Sequence, residues 1–300
     1  MDMERSVACY RRWIAGQEAG LAELEAASTN AAAGTATDAE LRAVVERCMV
    51  AYQDYVAARR AVSPRDGTAF ISPPWCTAFE RSMLWLGGCR PSVAIRLFYN
   101  LSGEGLEAQL EEFVNDEGPL PRGSMGVTPG QMVLVTDLHR RTLRQENALS
   151  DRLATLHEDV ADRPLFPIVR QRAQLRGAAA AAGGGGGCDG PVVGVAAGGV
   201  AGGGVVVDAE VDASLSRYKA GLAQLVAEAD ELRVATARAM ATEILTPRQA
   251  VEMLAAAKQL HLSVRDWSRR AEGAAGAEPQ RNGPRAAVAA ASTSAARRNP

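Results

Sequence analysis

The chain of 300 residues carries 33 basic and 35 acidic side chains, a formal charge of −2, so no global field draws it to nucleic acid or an anionic membrane. Its five cysteines are an odd number with no C-x-x-C pair, which indicates neither a disulfide framework nor a cysteine zinc site and favours a reducing compartment, nucleus or cytoplasm. No secretory pattern opens the sequence, because Arg11 and Arg12 arrive before any apolar core and cleavage site.

From Met3 to Ala27, Tyr10, Trp13, Leu21 and Leu24 recur at helical spacing among arginines and glutamates, which predicts an amphipathic first helix. A small-residue linker over 28–37 follows. Thr37 and Glu40 then form a capping box that opens a second helix toward Arg60, with Leu41, Val44, Val45, Cys48, Tyr52 and Tyr55 on its apolar face. Prolines from Pro64 to Pro74 break the pattern. Trp75 to Gly87 reads as a short helix closed by Gly87 and Gly88, with Phe79, Met83, Leu84 and Leu86 as its apolar residues.

Pro91 suits the first turn of the next helix, which carries Val93, Ile95, Leu97, Phe98 and Leu101, and Gly103 separates it from another holding Leu106, Leu110 and Phe113. Asp116 to Gly126 is a loop. Thr128-Pro129-Gly130-Gln131 and Thr246-Pro247-Arg248-Gln249 repeat one starting device: a cap, a proline at the first position and a reciprocal glutamine. The helix behind the first presents Leu134, Leu138, Leu149, Leu153, Leu156 and Val160. Before the second cap, Leu215, Tyr218, Leu222, Leu225, Ala229 and Leu232 alternate by three and four, a short seam that predicts packing within a bundle. The last helix aligns Met253, Ala257, Leu260, Val264 and Trp267.

The aromatics Trp75, Phe79, Trp85, Phe98 and Tyr99 read as core, with Arg81, Arg90 and Arg96 held by Glu80 or by helix carbonyls. The expected architecture is all-α: a single multi-helix bundle over 5–272, interrupted by a flexible Gly/Ala/Val-rich insertion over 176–211 and followed by a disordered tail over 273–300. The stretch from Pro191 to Val207 lacks charge, but its glycines suit a loop better than a membrane helix.

No catalytic set is present: there is no G-x-S-x-G, Walker loop or H-E-x-x-H, so an enzyme is not expected. His139 and His157 lie about 27 Å apart along one helix, too far to share a ligand. His261 sits one step from Leu260 and near Leu254 and Ala257, where its imidazole either faces an apolar groove or is a boundary residue bonded to a carbonyl or water.

Several runs resemble the plant delay-of-germination (DOG) domain family: Trp75-Cys76-Thr77, Glu80-Arg81, the stretch from Leu84 to Ser92, and Arg96-Leu97-Phe98-Tyr99. Tyr10, Trp13 and Gln17 resemble its opening helix. Arg140-Arg141-Thr142 with Glu146 to Leu149 resembles its middle, and Ile244 through Trp267 its close. The resemblance implies a regulatory binding protein of the seed-dormancy and abscisic-acid type, with clade A type-2C protein phosphatases as partners at Tyr10 and Trp13. Packing onto the bundle is the rival role for Trp13. The family also includes TGA-type bZIP transcription factors, which implies a role in transcription with such factors as partners. No basic-zipper segment is present in this sequence, so direct groove reading of DNA is not expected. Self-association is compatible with either role. Haem is the further implication: His261 matches the first of two histidines spaced four apart, and Arg265 replaces the second. Arginine is a poor iron ligand but suits a haem propionate.

Overall fold

The computed structural model describes residues 3–62, 64, 67–115, 125–170, 173–174 and 201–276. Among them the secondary structure is helical, with a lone β-bridge between Trp85 and Gly88. The helices are α1 (Met3–Ala32), α2 (Asp38–Val62), α3 (Thr68–Ile71), α4 (Ala78–Ser82), α5 (Pro91–Asn115), α6 (Pro129–Val160), α7 (Ala201–Arg238) and α8 (Pro247–Gly276). A π turn extends α7 over Ala239–Ile244, and α6 is followed by a kink over Ala161–Leu165. No described helix is long and apolar enough to cross a membrane.

Helix α1 packs most extensively on α8, α2 joins both, and α6 lies on α7 with α5 beside it. The central core fills the space between them with Leu24, Met49, Ile95, Phe98, Val135, Met240 and Val251. Each large apolar side chain so buried contributes about 1.5–3 kcal/mol. The three capping boxes form: Thr37 with Glu40, Thr128 with Gln131 and Thr246 with Gln249 each exchange backbone and side-chain bonds. The last two boxes also meet. Gln131 Nε2 donates to Gln249 Oε1 at 2.8 Å and to the Ile244 carbonyl at 2.9 Å, while Gln249 Nε2 donates to the Gly126 carbonyl at 2.7 Å. The repeated device therefore fastens the start of α6 to the start of α8.

Several expectations are corrected. The first helix runs on through the linker to Ala32, and α5 passes Gly103 without a break, because one glycine costs less than ending a hydrogen-bonded ladder. Helix α7 begins at Ala201, inside the segment read as insertion, and α8 continues to Gly276, inside the tail. The rest of the insertion and tail, over 176–200 and 277–300, and most of the loop over 116–126 lie outside the described residues.

The short helix read over Trp75 to Gly87 is instead a five-residue α4 followed by a tight reversal. Trp85 N–H donates to the Gly88 carbonyl at 2.7 Å, and Gly88 N–H returns to Trp85 at 3.2 Å. Both central residues have positive φ, Leu86 at 46° and Gly87 at 75°, as a two-residue type I′ link demands. The left-handed region costs a leucine about 1–2 kcal/mol. Leu86 offsets this by burying its side chain with Leu149, Leu225 and Leu232, worth about 1.5–3 kcal/mol.

Two arginines hold the reversal. Arg233 on α7 donates to the carbonyls of Trp85, Leu86 (3.1 Å) and Cys89 (2.7 Å), and Arg59 on α2 donates to that of Gly87 at 2.7 Å. Asp230 lies between them, 2.7 Å from each guanidinium. All three are buried. Gly88 is required for contact rather than conformation, since a Cβ there would stand 2.9 Å from Arg233 Cζ.

Replacing Asp230 with Ala leaves two buried guanidiniums without a counter-ion and is expected to cost about 3–5 kcal/mol. Urea unfolding measures this, and a loss below about 1 kcal/mol contradicts the role assigned to Asp230.

Candidate functional site

The four residues singled out in the sequence, Tyr10, Trp13, His261 and Arg265, converge along the seam between α1 and α8, with α4 at one end. Their helices place them there by spacing: Tyr10, Ile14 and Gln17 share one face of α1, and Lys258, His261 and Arg265 share one face of α8. Tyr10 and Ile14 pack with Cys76, flanked by Trp13, Trp75 and Leu262.

Arg265 is the hub. Its Nη1 donates to the Tyr10 hydroxyl at 2.6 Å and to Glu80 Oε1 at 3.2 Å, and its guanidinium lies 5.0 Å from the centroid of the Tyr10 ring. Glu80 Oε2 accepts from Thr77 N–H at 2.7 Å while Thr77 Oγ1 accepts from Glu80 N–H at 3.0 Å, so the capping box of α4 also orients the carboxylate that meets Arg265. A second tie runs from Ala78 N–H to Glu272 at 2.6 Å. Burial pushes the Tyr10 phenol and the Cys76 thiol up, keeping both protonated.

Trp13 is half-buried, stacked on Tyr55 with centroids 4.3 Å apart and tilted against Tyr52 at 5.5 Å. Lys258 Nζ lies 5.9 Å from its centroid and donates to Gln17 Oε1 at 3.1 Å. Burial pushes the Lys258 ammonium down. Neither Tyr10 nor Trp13 presents its whole side chain to solvent.

His261 Nε2 is buried with no hydrogen-bond partner. Burial lowers the imidazole from its ordinary 6.5, opposed by Glu80 and reinforced by Arg265 and Lys258. The donor set does not fit ligation of haem by two side chains. Arg265 occupies the second place, stays cationic, and is already spent on Tyr10 and Glu80, so it is also not held free for a propionate. Among the described residues, no group of three or more His, Cys, Asp or Glu side chains is placed to hold a metal ion.

The apolar face read on the last helix is corrected here. Leu260 is exposed and Trp267 is 58 % exposed, whereas Arg265 and Ser268 are buried. Helix α8 turns Arg265 inward because Tyr10 and Glu80 offer it partners, and Ser268 follows it, donating to the Arg265 carbonyl at 2.9 Å. Phe79, read as core, is likewise exposed at 54 %. Sequence reasoning missed Arg59, Asp230, Arg233 and the fully buried Glu146, which accepts from Ser92 N–H at 2.7 Å and Ser92 Oγ at 3.0 Å and so caps α5. A usable signal was the Asp230 and Arg233 pair, spaced three apart beside the leucine seam of α7.

Fold and seam define an all-helical bundle whose first and last helices are tied by a buried arginine. A sequence profile of the DOG1 family, described as seed dormancy control, matches residues 20–100. The chain is 30 % identical to Protein DOG1-like 3 of Arabidopsis thaliana, across 87 % of this chain and 83 % of that protein. It is also 25 % identical to the Arabidopsis Protein RESPONSE TO ABA AND SALT 1, across 74 % of this chain and 75 % of the other. Likeness to Transcription factor TGAL10 of Oryza sativa subsp. japonica, at 33 % identity, spans 51 % of this chain and 33 % of that factor. The chain belongs to the DOG1-like family.

An imidazole whose folded pKa lies below its unfolded value favours the fold only while neutral. For His261 stability is therefore full above about pH 6.5 and is lost as the pH falls through that value toward the folded pKa, where the unfolded chain takes up the proton first. His261→Gln is expected to flatten that part of the profile. Urea unfolding of both proteins across this range measures it, and identical profiles contradict the assignment.

Proposed function

We propose that the chain is a non-enzymatic regulatory binding module of the seed-dormancy and abscisic-acid type, acting on type-2C protein phosphatases. The observation that carries this reading is likeness along most of both chains to Protein DOG1-like 3. The relative whose name records a response to ABA adds support. The contact belongs to α1, where Tyr10 and Trp13 fix the helix against α2 and α8 and leave Arg11 and Arg12 exposed between them. This reading places the protein in the nucleus or the cytoplasm.

The test is pulldown and phosphatase activity with purified clade A enzymes. Binding with inhibition is expected, and Trp13→Ala is expected to weaken it by about 2 kcal/mol or more, as removal of an aromatic anchor does. A thermal melt of the variant separates lost contact from lost fold. No binding and no inhibition across the clade overturns the phosphatase reading.

A second reading, supported by likeness to TGAL10 over half the chain, makes bZIP factors of the TGA type the partner. Co-purification with such a factor tests it. For haem, the supporting observation is the unpartnered Nε2 of His261, a single axial nitrogen. A Soret band lost in His261→Ala is expected on that reading, and a band that survives the substitution rejects it.

A further inference from the structure

Beyond the α1–α8 seam, one end of the long α6 rod carries a feature that neither the bundle nor the seam uses. The rod ends in a kink over Ala161–Leu165, where Arg163 leaves helical geometry at φ −143° and ψ 107°, and a helical segment over 166–170 resumes. Past Arg163, three of the large apolar residues face solvent. Leu165, Phe166 and Val169 are 45, 61 and 63 % exposed. Spaced one and four apart, they form a single stripe, with half-buried Ile168 on the other side. Phe166 is the one aromatic in that stripe and stands among the most exposed large apolar side chains described.

Charge brackets the stripe. Arg163 and Arg170 are both exposed, and neither has an ion pair among the described residues. In the sequence Arg172 and Arg176 follow, so the run from 161 to 176 holds four arginines against the single acid Asp162, in a chain whose overall charge is −2. A local basic and apolar surface on an otherwise slightly acidic molecule selects an anionic partner.

We propose that this kinked end of α6 docks on an anionic lipid surface, with Leu165, Phe166 and Val169 entering the headgroup–acyl boundary and Arg163 and Arg170 meeting lipid phosphates or carboxylates. An acidic protein groove is the competing partner. A helix held in a groove uses anchors reaching from i to i+7. Here the positions seven beyond Leu165, Phe166 and Val169 are Arg172, Ala173 and Arg176, none of them a large apolar side chain. A short apolar stripe flanked by arginines matches shallow insertion in the membrane interface instead. Salt sensitivity follows from the same charges.

The experiment is co-sedimentation of the full chain with vesicles of phosphatidylcholine alone and of phosphatidylcholine mixed with phosphatidylserine, at low and high salt. Binding is expected to the mixed vesicles only and to fall with salt. The pair Arg163→Gln with Arg170→Gln is expected to weaken it by about tenfold or more, and Phe166→Ser with Val169→Ser to abolish it. Leu134→Ser, at an exposed leucine near the other end of α6, is expected to leave it unchanged. No binding to mixed vesicles, or binding that survives the loss of Phe166 and Val169, overturns the proposal. So does light scattering that shows the wild type as an oligomer and the Phe166→Ser, Val169→Ser variant as a monomer, since the stripe would then join copies of this chain. All these surface variants leave the α1–α8 seam intact, so failure here is distinguishable from failure of phosphatase binding.

Discussion

The architecture turns on the buried triad of Arg59, Asp230 and Arg233. Two guanidiniums share one carboxylate, which leaves an excess positive charge in a site closed to water. Isolated, that charge would cost several kcal/mol. It is stabilised because the reversal at Trp85–Gly88 turns its carbonyls toward the arginines, and because the Trp85 and Phe70 rings lie 5.4 and 5.0 Å from Arg233 and Arg59. The dependence is mutual. The reversal has no sheet to complete its backbone hydrogen bonds, so the arginines supply the donors that a third strand would otherwise provide. Helices α2 and α7 are thereby joined through a segment that belongs to neither.

The α1–α8 seam repeats the principle with another arginine. Arg265 joins α1 to α4 through Tyr10 and Glu80, and Glu80 is set by its own capping box. Most of its neighbours are spent on each other, which makes the unpartnered Nε2 of His261 conspicuous. A buried polar atom without a partner costs about 1–3 kcal/mol. The fold tolerates this beside Lys258 and Arg265, whose charges together with burial keep the ring neutral.

The sequence made the helices legible where local chemistry decides: the three capping boxes, the apolar face of α2 and the α7 seam from Leu222 to Leu232 stand as read, while Leu215 at the head of that seam is exposed. It misled where a distant partner decides. Trp267 and Leu260 look inward by hydrophobicity, yet Arg265 is buried because its partners lie on α1 and α4, some 185 to 255 residues away in the chain, and Ser268 is buried beside it, donating to the Arg265 carbonyl. Leu86 and the two glycines read as a helix stop, since nothing local distinguishes a stop from a reversal whose carbonyls are held by Arg233 from across the molecule. The four candidate site residues lie at scattered positions in the sequence, and their convergence on one seam is a product of how α1 lies along α8.

These two polar centres meet at the same stretch of chain. Residues 70–92 are fastened by the triad at the reversal, by Arg265 and Glu272 at α4, and by Glu146 at the start of α5. A segment with so many buried partners has little freedom to meet a ligand, so the signature that identifies the family most sharply is a signature of assembly. Helix α1 differs: one face is held by Arg265, Lys258 and the Trp13–Tyr55 stack, and the opposite face carries charged residues in solvent. A partner that grips α1 therefore acts on the helix that Tyr10 links, through Arg265, to α4 and α8. On the reading proposed for α1, recognition lies beside the seam where, among the described residues, His261 Nε2 is a buried atom without a hydrogen-bond partner.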